Sequence, residues 1–268
     1  MKIIVLVIII ILVLLIFDYL KQEIMKGEEL IMGKNITNIT IINVYDNVGF
    51  DPKFQTGFGF AAVVKLKDKT ILFDTGGDSE TLLANLEKAG VKQENINIIV
   101  LSHIHDDHTG GLLGFLEKNS NVKVYVPASF PSSFKNEIKK SNAELIEVTH
   151  SIKITNGIYS TGELGTWIKE QSLIINSDKG LILITGCSHP GIVNIIKTAK
   201  EELINKNVYL VMGGFHHPSI EVVKEFKELG VEKVAPSHCT GDEITREFQK
   251  EYQKDFIKSG VGKIIVIK

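Results

Sequence analysis

The chain has eight histidines in 268 residues, and three of them fall within six positions of one stretch, LSHIHDDHTGG (101–111). His103, His105 and His108 stand there with Asp106 and Asp107. Burying such groups together without partners costs on the order of several kcal/mol, because each loses its hydration. A bound cation reverses that sign. The alternation His103-x-His105 sends two imidazoles to the same side of an extended or turning loop, where they can share one ion. Asp107 and His108 follow the turn and point at a second. Asp106 is left facing solvent. Imidazole and carboxylate donors suit zinc, and also iron or manganese. A helix expected from near Thr109 fixes the exit of the loop, with Gly110 and Gly111 letting backbones approach closely.

Other polar groups repeat this placement just past the ends of apolar runs. ILF leads into Asp74, Thr75, Gly76 and Gly77, and LILITG leads into Cys187, Ser188 and His189. YLVMGGF leads into His216, and KVAPS leads into His238 and Cys239. Strand-end loops of an α/β sheet carry chemistry because the sheet holds them rigidly. Five such loops can therefore converge on one edge. The runs that would hold them read as strands: 39–46, 60–66, 70–77, 96–103, 122–128, 172–177, 180–186, 208–214, 232–237 and 262–268. Several are almost wholly apolar, as expected for strands covered on both faces. Helical periods lie between them, in SETLLANLEKAG, GLLGFLEKN, IVNIIKTAKEELINK, SIEVVKEFKELG and EITREFQKEYQKDF. Ser79 is the expected N-cap of the first, and Gly90 and Gly230 sit where two of these helices should end. The pattern predicts a layered α/β domain over 39–268.

H-x-H-x-D-H after an apolar strand resembles the metallo-β-lactamase fold superfamily, and the likeness extends over roughly residues 40–265. FDTGG (73–77) and the strand ending at His238 belong to it. VYDN (44–47), EQSLII (170–175), TGCSHPGIVN (185–194), GGFHH (213–217) and HCTG (238–241) look like the branch containing dihydropterin–ribofuranosylaminobenzene phosphate synthases and related metal-dependent hydrolases. The resemblance implies a four-layer αββα sandwich and two divalent metal ions, zinc in the first instance, with iron or manganese as alternatives. His103, His105 and His189 would hold one ion; Asp107, His108 and His238 would hold the other. Asp74 would orient a ligand histidine. The superfamily usually places a bridging aspartate where this chain has Cys187. The thiolate could bridge, or the thiol could stand aside.

Asp107, Cys187 and His216 are the expected chemical participants. The implied activity is hydrolysis of a small carbonyl- or phosphate-bearing substrate through a metal-activated water. A transferase of the synthase type is the alternative, and a non-catalytic metal-binding module is a third reading. His150 and His217 are expected on the surface, Cys239 as a small buried filler, and Trp167 in the core or a pocket wall. Phe54, Phe58 and Phe60 either line a substrate mouth or flank a strand.

Composition narrows the field. A hydrophobic fraction of 44% and a charged fraction of 23% are ordinary for a globular chain. A formal net charge of −2 without a basic tract gives no support for a nucleic-acid partner. Two cysteines exclude a disulfide framework. The apolar run from Ile3 to Phe17 is shorter than the roughly 20 residues that span a bilayer core. With Tyr19 and Leu20 it predicts an N-terminal hydrophobic helix over 1–20, anchoring the protein to a membrane, followed by a tether over 21–38. Translation from Met25 or Met32 would instead give a cytoplasmic product.

Overall fold

The computed structural model describes residues 35–204 and 206–268. Three antiparallel strands come first: β1 (Ile39–Asp46), β2 (Phe60–Lys65) and β3 (Thr70–Phe73). Helix α1 (Ser79–Lys88) leads to β4 (Ile98–Val100), and the short α2 (Asp106–Thr109) and α3 (Leu112–Lys118) lead to β5 (Lys123–Pro127). Helix α4 (Ser132–Lys140) then precedes β6 (Glu144–Val148). β3 to β6 are parallel neighbours.

The second half repeats the theme. β7 (His150–Thr155), β8 (Ile158–Gly162), β9 (Leu173–Ser177) and β10 (Gly180–Thr185) run antiparallel. Helix α5 (Ile192–Glu202), β11 (Val208–Gly214), helix α6 (Glu221–Glu228) and β12 (Val231–Ser237) continue in parallel with β10. Helix α7 (Asp242–Tyr252) follows, and β13 (Ile264–Ile267) returns to pair with β1. The result is a seven-stranded sheet, β13-β1-β2-β3-β4-β5-β6, and a six-stranded sheet, β12-β11-β10-β9-β8-β7.

Side-chain alternation decides how the sheets stack. Phe60, Ala62 and Val64 of β2 join Ile71 and Phe73 of β3 in one cluster, which also holds Leu173, Ile175, Ile182, Ile184, Leu210 and Met212 of the other sheet. The sheets therefore face each other across that layer. Ala61 and Val63 point the opposite way, toward Leu82 and Leu86 of α1 and Leu112 and Phe115 of α3. Each such buried aliphatic or aromatic side chain contributes about 1.5–3 kcal/mol. Behind the second sheet, Phe215 packs on Phe226 of α6 and Phe248 of α7. Two mixed sheets with helices outside them match the α/β sandwich expected from the sequence.

Several local expectations change. The N-cap of α1 is Asp78, one residue before Ser79, and its carboxylate accepts a hydrogen bond from the Thr81 amide at 2.7 Å. A helix already forms at Asp106, so Asp107 and His108 are helical rather than part of the loop before Thr109. Trp167 is 96% exposed and does not belong to the core. Phe60 is buried in the inter-sheet layer, whereas Phe58 is 72% exposed and stands beside the His238 ring. Strands β6 to β8 and helix α4 have no counterpart in the sequence reading. Among the described residues no helix is long and apolar enough to cross a membrane. The expected anchor over 1–20 and nearly all of the tether lie outside them.

Candidate metal centre

The edges of both sheets deliver the polar loops to one place. Asp74 follows β3, His103 and His105 follow β4, and Cys187 and His189 follow β10; His216 follows β11 and His238 follows β12. Tight backbone packing makes this possible. A Cβ on Gly110 would collide with the Gly77 carbonyl, and one on Gly111 with the Thr75 carbonyl. Asp74, Ser188, His216, His217 and His238 all adopt left-handed φ between 46° and 66° without being glycine. Such conformations cost of order 1–3 kcal/mol each and persist where surrounding structure over-determines them.

Two groups of donor atoms result. In the first, the rings of His103, His105 and His189 stand 4.7, 4.7 and 4.9 Å apart, centroid to centroid. His103 Nε2 lies 3.0 Å from His105 Nδ1. His189 Nε2 is buried and has no hydrogen-bond partner among the described residues. A buried orphan nitrogen facing two other ring nitrogens is the arrangement a cation would complete.

The second group joins Asp107, His108, His238 and Cys187. His108 Nε2 and His238 Nε2 are 3.2 Å apart, and Asp107 Oδ2 lies 3.5 and 3.3 Å from them. Cys187 Sγ lies 3.3 Å from His108 Nε2 and 3.4 Å from His238 Nε2.

The far nitrogens of these rings explain why the near ones converge. His103 Nδ1 pairs with Ser102 Oγ at 2.9 Å, and that hydroxyl donates to Asp74 Oδ2 at 2.8 Å. His108 Nδ1 pairs with the same Asp74 oxygen at 2.8 Å. His238 Nδ1 pairs with Asn47 Oδ1 at 2.7 Å. Each pairing places the proton on Nδ1 and frees Nε2. Asp74 thus reaches both groups, one directly and one through Ser102.

Electrostatics separates the two groups. Burial, reinforced by the surrounding imidazoles, holds His103 well below the usual histidine range. Burial, with His216 and His105 beside it, takes His189 down to about 4. Both are neutral donors at neutral pH. Burial opposes a proton on His108, yet Asp74, Asp107 and Glu170 outweigh it and raise that group. A hydrogen bond with Cys239 and burial push the Cys187 thiol up.

All six side chains expected to hold metal are brought together, as is Cys187. His216 is exposed, its ring is 4.3 Å from that of His189, and it forms a third set of donors with Cys187 and His189. His150 is on the surface, as expected. His217 is exposed, as expected, and lines a cleft of about 570 Å³ with Phe58, His238 and Lys258. Cys239 is only partly buried, and its thiol donates to the Cys187 carbonyl at 3.7 Å. It is a neighbour of the site rather than core filler.

Two positioning residues escaped the sequence reading. Asn47 lies in VYDN and Glu170 in EQSLII, stretches that had carried only a family likeness. Glu170 is fully buried, and its oxygens accept the amides of Cys187 at 3.1 Å, Ser188 at 2.8 Å and His189 at 2.8 Å. Burial pushes its carboxyl up to about 7 against the pull of those amides.

Known proteins resemble this chain in sequence and fold. The profile of the metallo-beta-lactamase superfamily matches residues 55–204. The chain is 31% identical to the 7,8-dihydropterin-6-methyl-4-(beta-D-ribofuranosyl)-aminobenzene-5'-phosphate synthase of Methanocaldococcus jannaschii, over 86% of this chain and 98% of that one. The crystal structure of a metal-dependent hydrolase of the beta-lactamase superfamily superposes with a TM-score of 0.70 and 27% identity, covering 85% of this chain and 98% of that one. A diphosphatase of the PhnP family, 14% identical, shares the fold with a TM-score of 0.60, over 87% and 98% of the two chains. With the profile running through the histidine-rich loop and near full-length identity to the synthase, the chain belongs to the metallo-beta-lactamase superfamily.

Proposed function

We propose that this protein is a metal-dependent enzyme acting on a small carbonyl- or phosphate-bearing molecule, with hydrolysis as the reaction. The observation that supports it is the convergence of two donor groups from separate strand-end loops, with His103, His108 and His238 each oriented by a partner on the far nitrogen. His103, His105 and His189 would hold one divalent ion, and Asp107, His108 and His238 the other. Zinc fits these donors, as do iron and manganese. Bound there, divalent cations supply Lewis-acid polarisation and an acidified water.

The chain's own residues do the rest. Asp107 is placed to accept a proton from the attacking water, and its carboxyl is held below the usual range by His238 and His108, against the effect of burial. His216, exposed beside His189, faces incoming substrate. Phe58 and His217 line the approach next to His238.

One observation favours a second reading. Near full-length identity to a synthase makes transfer of a phosphate-bearing group the competing reaction. Metal analysis of the purified full-length chain, followed by a panel of phosphodiesters, lactones and thioesters, tests both. Turnover of any panel member supports hydrolysis; silence on all of them with metal retained favours transfer. A chain that purifies with almost no transition metal would remove both.

Asp74→Asn gives a sharper expectation. The amide keeps the shape but can no longer accept from both Ser102 Oγ and His108 Nδ1 on one charged oxygen. Metal affinity at the second group should fall about 10–100-fold, read by competition with a chromogenic chelator. An unchanged affinity would mean that Asp74 serves only the fold.

A further inference from the structure

We infer that the cleft beside His238 is the pocket for the unreactive end of the substrate, and that it takes a flat apolar body carrying one negative charge. As a substrate pocket it rests on reading the two donor groups as cation sites. The cleft has a volume of about 570 Å³, within the range of about 300–1,000 Å³ typical of small-molecule pockets. His238 forms part of its wall and also belongs to the second donor group, so the two spaces adjoin. A molecule reacting at that group has the cleft for the rest of its body, and contacts made there orient the reacting end.

The walls say what would fit. Phe58 leaves 72% of its surface exposed, and its ring stands 5.7 Å from that of His238. With Phe256 it offers bare aromatic surface that a flat ring can cover. Ser259 adds an unused polar group. It is 3% exposed, and its hydroxyl has no hydrogen-bond partner among the described residues. Buried hydroxyls ordinarily find partners, and an acceptor atom of a ligand would supply one. The His217 ring is packed on the backbone at Gly241, where a Cβ would stand 2.6 Å from Nδ1.

Charge sets the second requirement. Among the described residues lining the cleft, Lys258 is the one lysine or arginine and Asp242 the one carboxylate. Both are exposed, and neither forms an ion pair among the described residues. One anionic group can pair with the Lys258 ammonium. A second would lie in the same small cleft as Asp242 with no further cation to offset it. The wall therefore favours one negative charge over none or two.

Calorimetric titration of the full-length, zinc-loaded chain with four small probes tests this. Benzoate, a ring with one charge, should bind at least about 10-fold more tightly than acetate, which lacks the ring, or benzyl alcohol, which lacks the charge. Terephthalate carries a second charge and should bind about 2–5-fold more weakly than benzoate. Benzoate should still bind after the metal is chelated away. Lys258→Ala should weaken it about 10-fold, Asp242→Asn should erase the preference over terephthalate, and Lys250→Ala, also on α7, should change nothing. Benzoate binding that disappears with the metal, or that is unchanged in Lys258→Ala, would overturn the inference and leave the cation sites standing; so would no binding at all. A chain that takes up no metal yet binds benzoate in this way would sink the enzymatic reading and leave the cleft as a ligand site.

Discussion

His105→Ala is expected to empty the first donor group and abolish turnover while the protein stays folded. His105 stands at the head of α2, half-buried, and makes no side-chain cap to that helix. Its Nδ1 faces His103 Nε2 at 3.0 Å, and its ring meets His189 edge-on. Removing it costs little packing, so stability should change by no more than about 0.5 kcal/mol in the metal-free protein. The remaining pair, His103 and His189, offers two donors where three stood. Affinity for the ion should drop at least about 100-fold, since loss of an orienting partner alone costs 10–100-fold. His150→Ala, on the surface at the start of β7, is the control and should leave metal content and thermal stability at wild-type values. Metal retained at two equivalents in His105→Ala would overturn the assignment of the first group, and so would equal metal loss in both variants.

Much of this architecture is legible in the sequence because its strands are apolar on both faces. VYLVMGG and ITIINVYD have no competing helical period, and the structure forms strands over the same residues, Val208–Gly214 and Ile39–Asp46. β6, β7 and β8 were not legible for the opposite reason. ELIEV and HSIKIT are only half-buried, and IYSTG buries Ser160 and Thr161, whose hydroxyls find partners only in the folded protein. Helix α4, SSFKNEIKK, buries only Ile138, too little to mark a period. Asp78 displaced Ser79 as a cap because both residue types suit the position, and one residue of register decides between them.

The site divides along similar lines. Its donors could be found because histidine clusters are rare and their loops follow strong strands. Their partners could not. Asn47 reaches His238 across 191 positions of chain, and Asp74 reaches His108 across 34. Residue type alone says that an asparagine or aspartate will find a hydrogen bond, not which histidine it will orient. His217 is exposed, as expected, but local sequence shows only a polar residue before a proline and not the cleft it lines. Its place against the cleft depends on two successive left-handed residues that turn the chain after β11.

Glu170 is the strongest case of a residue whose role only the fold reveals, and its replacement should have the second large effect. Three consecutive amides, from Cys187 to His189, donate to its two oxygens in a site from which solvent is excluded. Ser188, in the middle of that run, is held at φ 66°, and its hydroxyl donates to the Gly214 carbonyl at 2.7 Å. Glu170→Ala leaves all three amides without an acceptor. Each buried unsatisfied group costs about 1–3 kcal/mol, so a loss on the order of 3–5 kcal/mol is expected, and the loop carrying Cys187 and His189 loses its support. Glu170→Gln separates support from mere volume. One amide oxygen can still accept from Cys187 and Ser188, but the NH₂ then confronts the His189 amide. The cost should be smaller, about 1–3 kcal/mol for the one orphaned donor, and metal loss should be concentrated at the first group, where His189 belongs. Denaturant melts and metal content of the two variants measure both quantities. A Glu170→Gln protein with wild-type stability and both ions in place would show that Ser188 and the sheet hold the loop without the carboxylate.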